Sequence, residues 1–388
     1  MPSPQEAIAT YLDDLVGIRR DLHQHPEIGF EVSRTAEVVA RELERYGIKV
    51  HRGIGKTGVV GTISGRNGPG RSIGLRAELD ALPIEETTNL PYRSRVPGFS
   101  HACGHDGHMV MLLGAARYLA ETRDFSGTAT IIFQPAEEGQ GGARAMLADK
   151  LFDRFPCDEI YALHNDPNGP RGSVRLRSGA TSAAADFFDI EIHGRGAHAA
   201  QPHHAVDPVA VAVTIAQSLP TIVSSSIDPL HPAVLCITRI EAGNTYNVIP
   251  DSALMSGTIR TFDPQARSIA AARLREICAG IASAYGATAK VTIHDVFSVL
   301  ENWPEQTAAA TAIAAELFGK DKVDPATPPR LTSEDFADML KVVPGSYFFL
   351  GQQEGPALHN PAYAFDEEII PVGALLLASL VQRRSVAA

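Results

Sequence analysis

Cysteine is scarce. The four in 388 residues, Cys103, Cys157, Cys236 and Cys278, are too few and too scattered to frame a disulfide-stapled fold. A reducing compartment, the cytoplasm, is the expectation. Long apolar runs are missing as well: no stretch approaches about 18 consecutive apolar residues, which argues against a membrane span. The start, Met1-Pro2-Ser3-Pro4-Gln5-Glu6, carries neither the basic nor the apolar region of a secretory signal. Positive charge is in deficit, with 34 Lys and Arg against 45 Asp and Glu and a net charge of −11. That balance argues against nucleic acid or an anionic membrane surface as partner. No low-complexity segment and no repeat of solenoid period is present. Nor do Cys and His recur as the paired knuckles of a structural zinc module.

The chain is longer than one core normally grows, so two domains are expected. Its apolar (44%) and charged (20%) fractions are those of an ordinary globular protein. Amphipathic patterns predict helices over 5–22 and 34–46, the second stopped by Gly47. Apolar runs predict strands at 58–63, 72–79, 128–133 and 159–163, and Asp106 is placed to cap a helix through 109–116. This alternation reads as an α/β domain with a mostly parallel sheet. A different rhythm begins near Ala183: strand 187–193, helix 207–223, strands 233–241 and 253–261, helix 264–285, strand 288–295. The order β-α-β-β-α-β is that of the ferredoxin-like fold. Alternation then resumes with helices at 305–318, 334–340 and 366–383 and a strand at 346–350. The expectation is a catalytic domain formed by residues 1–182 and 297–388, interrupted by an inserted ferredoxin-like domain at 183–296.

The densest chemistry lies in Ser100-His101-Ala102-Cys103-Gly104-His105-Asp106-Gly107-His108. Further metal-type residues are isolated and each follows an apolar strand: Glu137 and Glu138 after 128–133, His164 at the end of 159–163, His359 beyond 346–350. Sites in open α/β sheets form outside the carboxyl ends of the strands, where such residues can converge. Cys103, His105, Glu138, His164 and His359 are five candidate ligands, more than one catalytic zinc takes, so two divalent metal ions are inferred. A pair roughly 3.5–4 Å apart activates water and polarises a carbonyl oxygen together. Thiolate and imidazole suit zinc, while carboxylates also admit manganese, cobalt or nickel. Adjacent residues in extended backbone point in opposite directions, so one of Glu137 and Glu138 can ligate while the other serves as general base. Asp80 is a candidate to fix the tautomer of a ligand histidine.

Seven blocks carry a resemblance that spans essentially the whole chain in order. They are His23-Gln24-His25-Pro26-Glu27, Arg76-Ala77-Glu78-Leu79-Asp80-Ala81-Leu82-Pro83, His101-Ala102-Cys103-Gly104-His105-Asp106, Gln134-Pro135-Ala136-Glu137-Glu138-Gly139, Gly196-Ala197-His198-Ala199-Ala200-Gln201-Pro202-His203, Asn247-Val248-Ile249-Pro250 and Leu358-His359-Asn360-Pro361. The chain resembles the hippurate hydrolase and indole-acetyl-amino-acid hydrolase branch of the aminoacylase/carboxypeptidase metallopeptidases. The resemblance implies that Cys103, His105, Glu138, His164 and His359 bind the two metals and that Glu137 is the acid/base. It implies that the inserted domain makes a homodimer, and that His198 stabilises the oxyanion, often across the dimer. Asn247 and Arg260 match positions that hold the substrate carboxylate. The implied reaction is hydrolysis of a small N-acyl amino acid. The pattern departs at Glu78, where Asp is usual.

Other readings compete. His101 and His108 could ligate, but packing or support of a ligand is the favoured role; His23 and His25 read as loop or capping residues. His198, His203 and His204 lack the carboxylate or thiol that a separate metal site would want. Arg260 could be a strand residue in a weak surface ion pair. The glycines at 139–142 lack the Lys-Ser/Thr of a phosphate loop. Cys103 with His105 as base would make a cysteine hydrolase, and a non-catalytic binding or sensor protein could keep the same fold. Cleavage of short peptides is the nearest enzymatic alternative.

Overall fold

The computed structural model describes residues 3–386. It divides into two compact units. One runs to Thr181 and takes up Leu300–Pro328 and the chain from Asp335 onward; the other is Ser182–Val299 with Pro329–Glu334. The return of 329–334 to the inserted unit has no counterpart in the sequence pattern. Backbone bonding causes it: the Ala183 N–H donates to the carbonyls of Arg330 and Thr332, both at 3.0 Å.

The first unit is built on an eight-stranded sheet. Its order is Lys49–Ile54, Gly58–Ser64, Thr128–Gln134, Ser72–Glu78, Glu159–Asp166, Gly345–Gly351, Val174–Arg175, Val323–Asp324. The four middle strands, Thr128–Gln134 to Gly345–Gly351, are mutually parallel. Outside them, 49–54 with 58–64, 58–64 with 128–134, and 174–175 with 345–351 pair antiparallel. The sheet is therefore mixed: its middle and the short outer pair 174–175 with 323–324 are parallel as expected, and the other pairings are not. All but one of the apolar runs that mark this sheet in the sequence belong to that middle, where both faces are covered; the run at 58–63 is the antiparallel neighbour Gly58–Ser64. Lys49–Ile54 has no such mark because it is an edge strand, half-exposed and carrying Lys49, His51 and Arg52.

Alternation along the middle strands splits the core in two. Tyr161, Leu163, Phe348 and Leu350 face one hydrophobic cluster, Ile160, Ala162, Tyr347 and Phe349 the other. Helices Leu12–Gln24, Ser33–Arg45, His105–Thr122 and Ile370–Arg384 supply the first cluster; Met146, Leu151 and Phe336 belong to the second. Helix His105–Thr122 starts after Gly104 with no side-chain cap. A cap is worth about 1 kcal/mol. Met109, Val110, Met111, Leu112 and Leu113 are fully buried, and each contributes roughly 1.5–3 kcal/mol. Packing therefore forms this helix.

Asp106 corrects the capping expectation. Its carboxylate turns inward, accepting from Arg19 Nε at 2.7 Å and lying 2.8 Å from His23 Nδ1. All three side chains are buried. Burial would raise the Asp106 carboxyl, yet Arg19 and His23 override it and hold it well below the usual carboxylate range. The N-terminal helix expected over 5–22 is two helices, Pro4–Ala9 and Leu12–Gln24.

The inserted unit holds a four-stranded antiparallel sheet in the order Ala233–Ala242, Ser252–Thr261, Ala184–His193, Thr288–Phe297. Helices Pro208–Ser218, Pro220–Ser226 and Pro264–Ala284 cover it, burying Val211, Ile215, Ile222, Leu274 and Cys278 against Phe188, Ile190 and Met255. The expected helix over 207–223 is interrupted at Pro220, whose ring removes an N–H from the ladder. Taken together, Pro208–Ser226 is apolar and long enough to cross a membrane, by length and composition. In this fold its inner residues pack on the sheet, while Val209 and Val213 stay exposed.

Replacing Arg19 by Met should leave Asp106 as a buried charge with too little compensation and cost about 3–5 kcal/mol in urea unfolding at neutral pH. The folded carboxyl is depressed, so its contribution is complete above the unfolded pKa of about 4 and is lost as pH falls below it. The gap between Arg19→Met and wild type should therefore narrow below about pH 4. Equal stability of the two proteins at pH 7 would contradict this account.

Candidate metal centre

The parallel strands of the first unit end at one edge of the sheet; Glu137, Glu138 and His164 lie at or just after those ends, and Cys103 and His105 at the start of helix His105–Thr122. After Thr128–Gln134 the chain makes a turn containing Glu137 and Glu138 rather than continuing extended. Ala136 has φ +57° although it is not glycine. The turn closes at Gly142, where a Cβ would lie 1.6 Å from the Pro135 carbonyl oxygen. Only glycine fits there. Asp80 follows Ser72–Glu78 and clamps this turn: its Oδ1 accepts from the Glu137 N–H at 3.0 Å and its Oδ2 from the Glu138 N–H at 3.1 Å.

Cys103 and His105 flank Gly104, whose φ of +89° and tight fit against the Asn165 side chain require glycine. His164 lies near the carboxyl end of strand Glu159–Asp166. His359 also sits at positive φ, +62°, and its N–H donates to the Ala102 carbonyl at 2.9 Å. Two non-glycine residues in this sparsely populated region flank the same cluster, a pattern that marks functional sites.

The donor atoms converge. Those of Cys103, His105 and His164 all lie within 4.8 Å of one another; so do those of Cys103, Glu138 and His359, and those of His105, Glu137 and Glu138. Cys103 Sγ is 3.2 Å from His164 Nε2. Glu138 Oε1 is 3.3 Å from His359 Nε2 and 3.9 Å from His105 Nε2. His105 Nε2 and Glu138 Oε1 are buried without a hydrogen-bond partner. Buried polar atoms are nearly always satisfied, so an orphaned imidazole nitrogen facing an orphaned carboxylate oxygen fits a cation between them. The donor set of thiol, imidazole and carboxylate suits divalent transition metals. Glu137 and Glu138 do not point apart as extended neighbours would. The turn brings both into the group with His105.

Electrostatics agree with a site that wants positive charge. Burial pushes the Cys103 thiol well up, and the Glu138 and Glu137 carboxylates push it further. That is the wrong direction for a nucleophilic cysteine, which needs a cationic neighbour. Burial, reinforced by His108, pushes His164 down, leaving it a neutral donor. Burial opposes ionisation of Glu138, but the His359 contact and the His105 charge hold it below its ordinary value.

Support comes from residues whose part is not evident from their spacing along the chain. His105 Nδ1 bonds the backbone carbonyl of Asp80 at 2.8 Å, while the Asp80 carboxylate stands 3.8 Å away. Asp80 therefore reaches this histidine through its carbonyl and the glutamates through its side chain. His108 lies between Glu78 (Nδ1 to Oε2, 2.8 Å) and Asn165 (Nε2 to Oδ1, 2.7 Å), so neither nitrogen is spare for a metal. Its ring centroid is 4.5 Å from that of His164, edge-on. Asn165 donates to the Tyr363 hydroxyl at 2.6 Å and to Gln352 Oε1 at 3.0 Å. Glu78 also meets Arg76, which reaches Asp335 at 3.0 Å. His101 is buried with neither ring nitrogen bonded and lies outside the donor groups.

The remaining candidates lie in the inserted unit. His198 pairs with Val248 in a short antiparallel ladder, and the Ala199 N–H donates to the Asn247 carbonyl at 3.0 Å. His198 and Asn247 are thus neighbours across two strands. Arg260 lies on Ser252–Thr261. His203 and His204 stack at 4.1 Å between centroids in an exposed turn, outside every donor group found among the described residues.

Known proteins share this organisation. The profile of peptidase family M20/M25/M40 matches residues 74–383. Hippurate hydrolase of Campylobacter jejuni is 40% identical over 94% of this chain and 94% of its own length. N-acetyl-L-cysteine deacetylase of Bacillus subtilis is 40% identical over 94% of this chain and 86% of its own. A crystal structure of a dinuclear metal-binding peptidase from Bacillus subtilis superposes with a TM-score of 0.82 at 35% identity, covering 96% of this chain and 98% of that one.

Divalent cation at about 100 times its dissociation constant should stabilise the fold by roughly 2.7 kcal/mol, read as a rise in melting temperature. The Cys103→Ala and His359→Ala proteins should show a smaller rise. Identical melting with and without zinc or manganese would mean that the donors do not form a metal centre.

Proposed function

This chain belongs to peptidase family M20/M25/M40, and from that membership and its donor cluster we propose that it hydrolyses the amide bond of N-acyl amino acids, releasing a carboxylic acid and an amino acid. The observation that carries the reading is the grouping of Cys103, His105, Glu138, His164 and His359 around one another, with Glu137 beside them. In this reading the five hold two divalent metal ions, zinc or manganese, with cobalt or nickel as substitutes. When bound, such a pair makes water a competent nucleophile near neutral pH and polarises the amide carbonyl.

The chain's own groups do the rest. Glu137 takes the proton from the attacking water and returns it to the leaving nitrogen, the exchange for which a positioned carboxylate is suited. Its placement depends on Asp80, whose carboxylate holds the Glu137 and Glu138 amides. His198 donates to the oxyanion, and Asn247 and Arg260 receive the substrate carboxylate. Arg260 is fit for that role because it is half-buried and has no carboxylate partner among the described residues. An unpaired guanidinium is a ready bidentate partner for an anion.

The inserted unit, ferredoxin-like in its strand and helix order, serves in this reading to form a homodimer. Its edge strand Ala233–Ala242 is largely exposed, and Val209, Val213, Leu230 and Ile240 add uncovered apolar surface. Unpaired edges and such patches are typical of surfaces that meet another copy. The four unpaired cysteine thiols accord with a cytoplasmic setting.

Glu137→Gln should lower turnover of a good N-acyl amino acid by about 10²–10⁴-fold, while metal analysis of the same sample stays near wild type. Full activity in that variant would remove Glu137 from the role. Chelation should abolish activity, and added metal should restore it. Turnover that survives chelation but is lost on thiol alkylation would instead favour Cys103 as nucleophile. No amine release from any member of a broad N-acyl amino acid panel by the metal-loaded protein would favour a binding role.

A further inference from the structure

Within the inserted unit, Arg260 is held by two neutral hydroxyls. Its Nε donates to Thr258 Oγ1 at 3.2 Å and its Nη1 to Ser333 Oγ at 2.7 Å. The Thr258 hydroxyl in turn donates to the Asp186 carbonyl at 3.2 Å. The nearby Asp186 carboxylate is already taken by Arg267, through Nε at 2.8 Å and through a second contact at Nη2. A guanidinium has five N–H groups. Two are spent on uncharged oxygens, three have no partner, and the positive charge is not balanced by any carboxylate among the described residues.

Burying half of a guanidinium without a counter-ion is costly unless something later supplies the anion. A serine and a threonine fix the direction of the group without neutralising it. Ser333 is well placed to do so because its segment is anchored to the same sheet. Ser182 and Arg330 form a parallel bridge, and Ala183 bonds the carbonyls of Arg330 and Thr332. The strand that follows, Ala184–His193, pairs with Ser252–Thr261, which carries Arg260 opposite Ala185.

We propose that Ser333, with Thr258, is a positioning residue that aims Arg260 at the substrate carboxylate and so sets the preference for acyl amino acids over uncharged amides. The role rests on the carboxylate-binding assignment of Arg260. Ser333 touches the guanidinium, and the guanidinium touches the substrate. Ser333 therefore acts on binding of the acid end and leaves the bond-breaking step alone.

The test compares whichever N-acyl amino acid is turned over best with its methyl ester, which keeps the amide and removes the charge, using metal-loaded enzyme. Ser333→Ala should raise KM for the acid about tenfold, with kcat nearly unchanged and the ester kinetics unmoved. Ser333→Thr should restore KM, and Thr258→Val should act in the same direction as Ser333→Ala. Arg260→Met should erase the discrimination between acid and ester. Should Arg260→Met erase it while Ser333→Ala and Thr258→Val leave KM for the acid at the wild-type value, the positioning role falls and the arginine assignment stands. Should Arg260→Met leave the discrimination intact, both fall. Parallel loss of kcat on acid and ester in Ser333→Ala would mark a general structural defect and also overturn the proposal.

Discussion

A thiol, three imidazoles and two carboxylates, all but the exposed His359 buried or partly buried, cannot crowd within a few ångströms without a compensating charge. The buried groups lose their hydration, the carboxylates push the Cys103 thiol further from ionisation, and His105 Nε2 and Glu138 Oε1 are left with no hydrogen-bond partner among the described residues. Left alone, such a cluster works against folding. Divalent cations held there would supply the missing positive charge and favour the deprotonated ligands. The rest of the first unit can be understood as the scaffold that makes this crowding tolerable.

That scaffold works by rigidity. Glu137, Glu138 and His164 lie at or just beyond the ends of strands whose two faces are both buried, so the sheet cannot slide without breaking two cores at once. The turn after Thr128–Gln134 is tied down by Asp80 and passes through Ala136 in a conformation that few non-glycine residues adopt. Behind the metal-facing atoms, His108, Glu78, Asn165, Tyr363 and Gln352 form a continuous hydrogen-bonded layer that fixes the ring beside His164. Deeper still, Arg19, His23 and Asp106 anchor the start of the helix that follows Cys103 and His105. Binding at such a centre gains from donors that are already in place, because little ordering is left to do when the ions arrive.

Arg260 is arranged on the opposite logic. Its hydrogen-bond partners are neutral hydroxyls, and the Asp186 carboxylate is taken by Arg267. Where the donor cluster pools negative and neutral groups, this position keeps one positive group with no carboxylate partner among the described residues. Each shows how a fold holds an unfavourable local arrangement by surrounding it with stable packing.

Much of this is legible in the residues. Apolar runs mark the buried middle strands to within three residues at their ends, since most positions of a strand covered on both faces are apolar; 159–163 extends to Asp166 through the polar residues His164, Asn165 and Asp166. The five donors and the glutamate beside them stand out because thiol and imidazole packed into 100–108, and carboxylates and imidazoles following apolar runs, have no packing purpose. The peripheral strands, the break at Pro220 and the return of 329–334 are decided by edge pairing and backbone bonds between distant segments. Asp106 looks like a cap because capping is a local rule, but a buried arginine 87 residues away claims it. The sequence by itself determined which chemical groups were present and which strands must be buried, because composition and periodicity are carried residue by residue. Only the tertiary structure decided which groups oppose, brace or neutralise one another, because those relations depend on distances that no local pattern encodes.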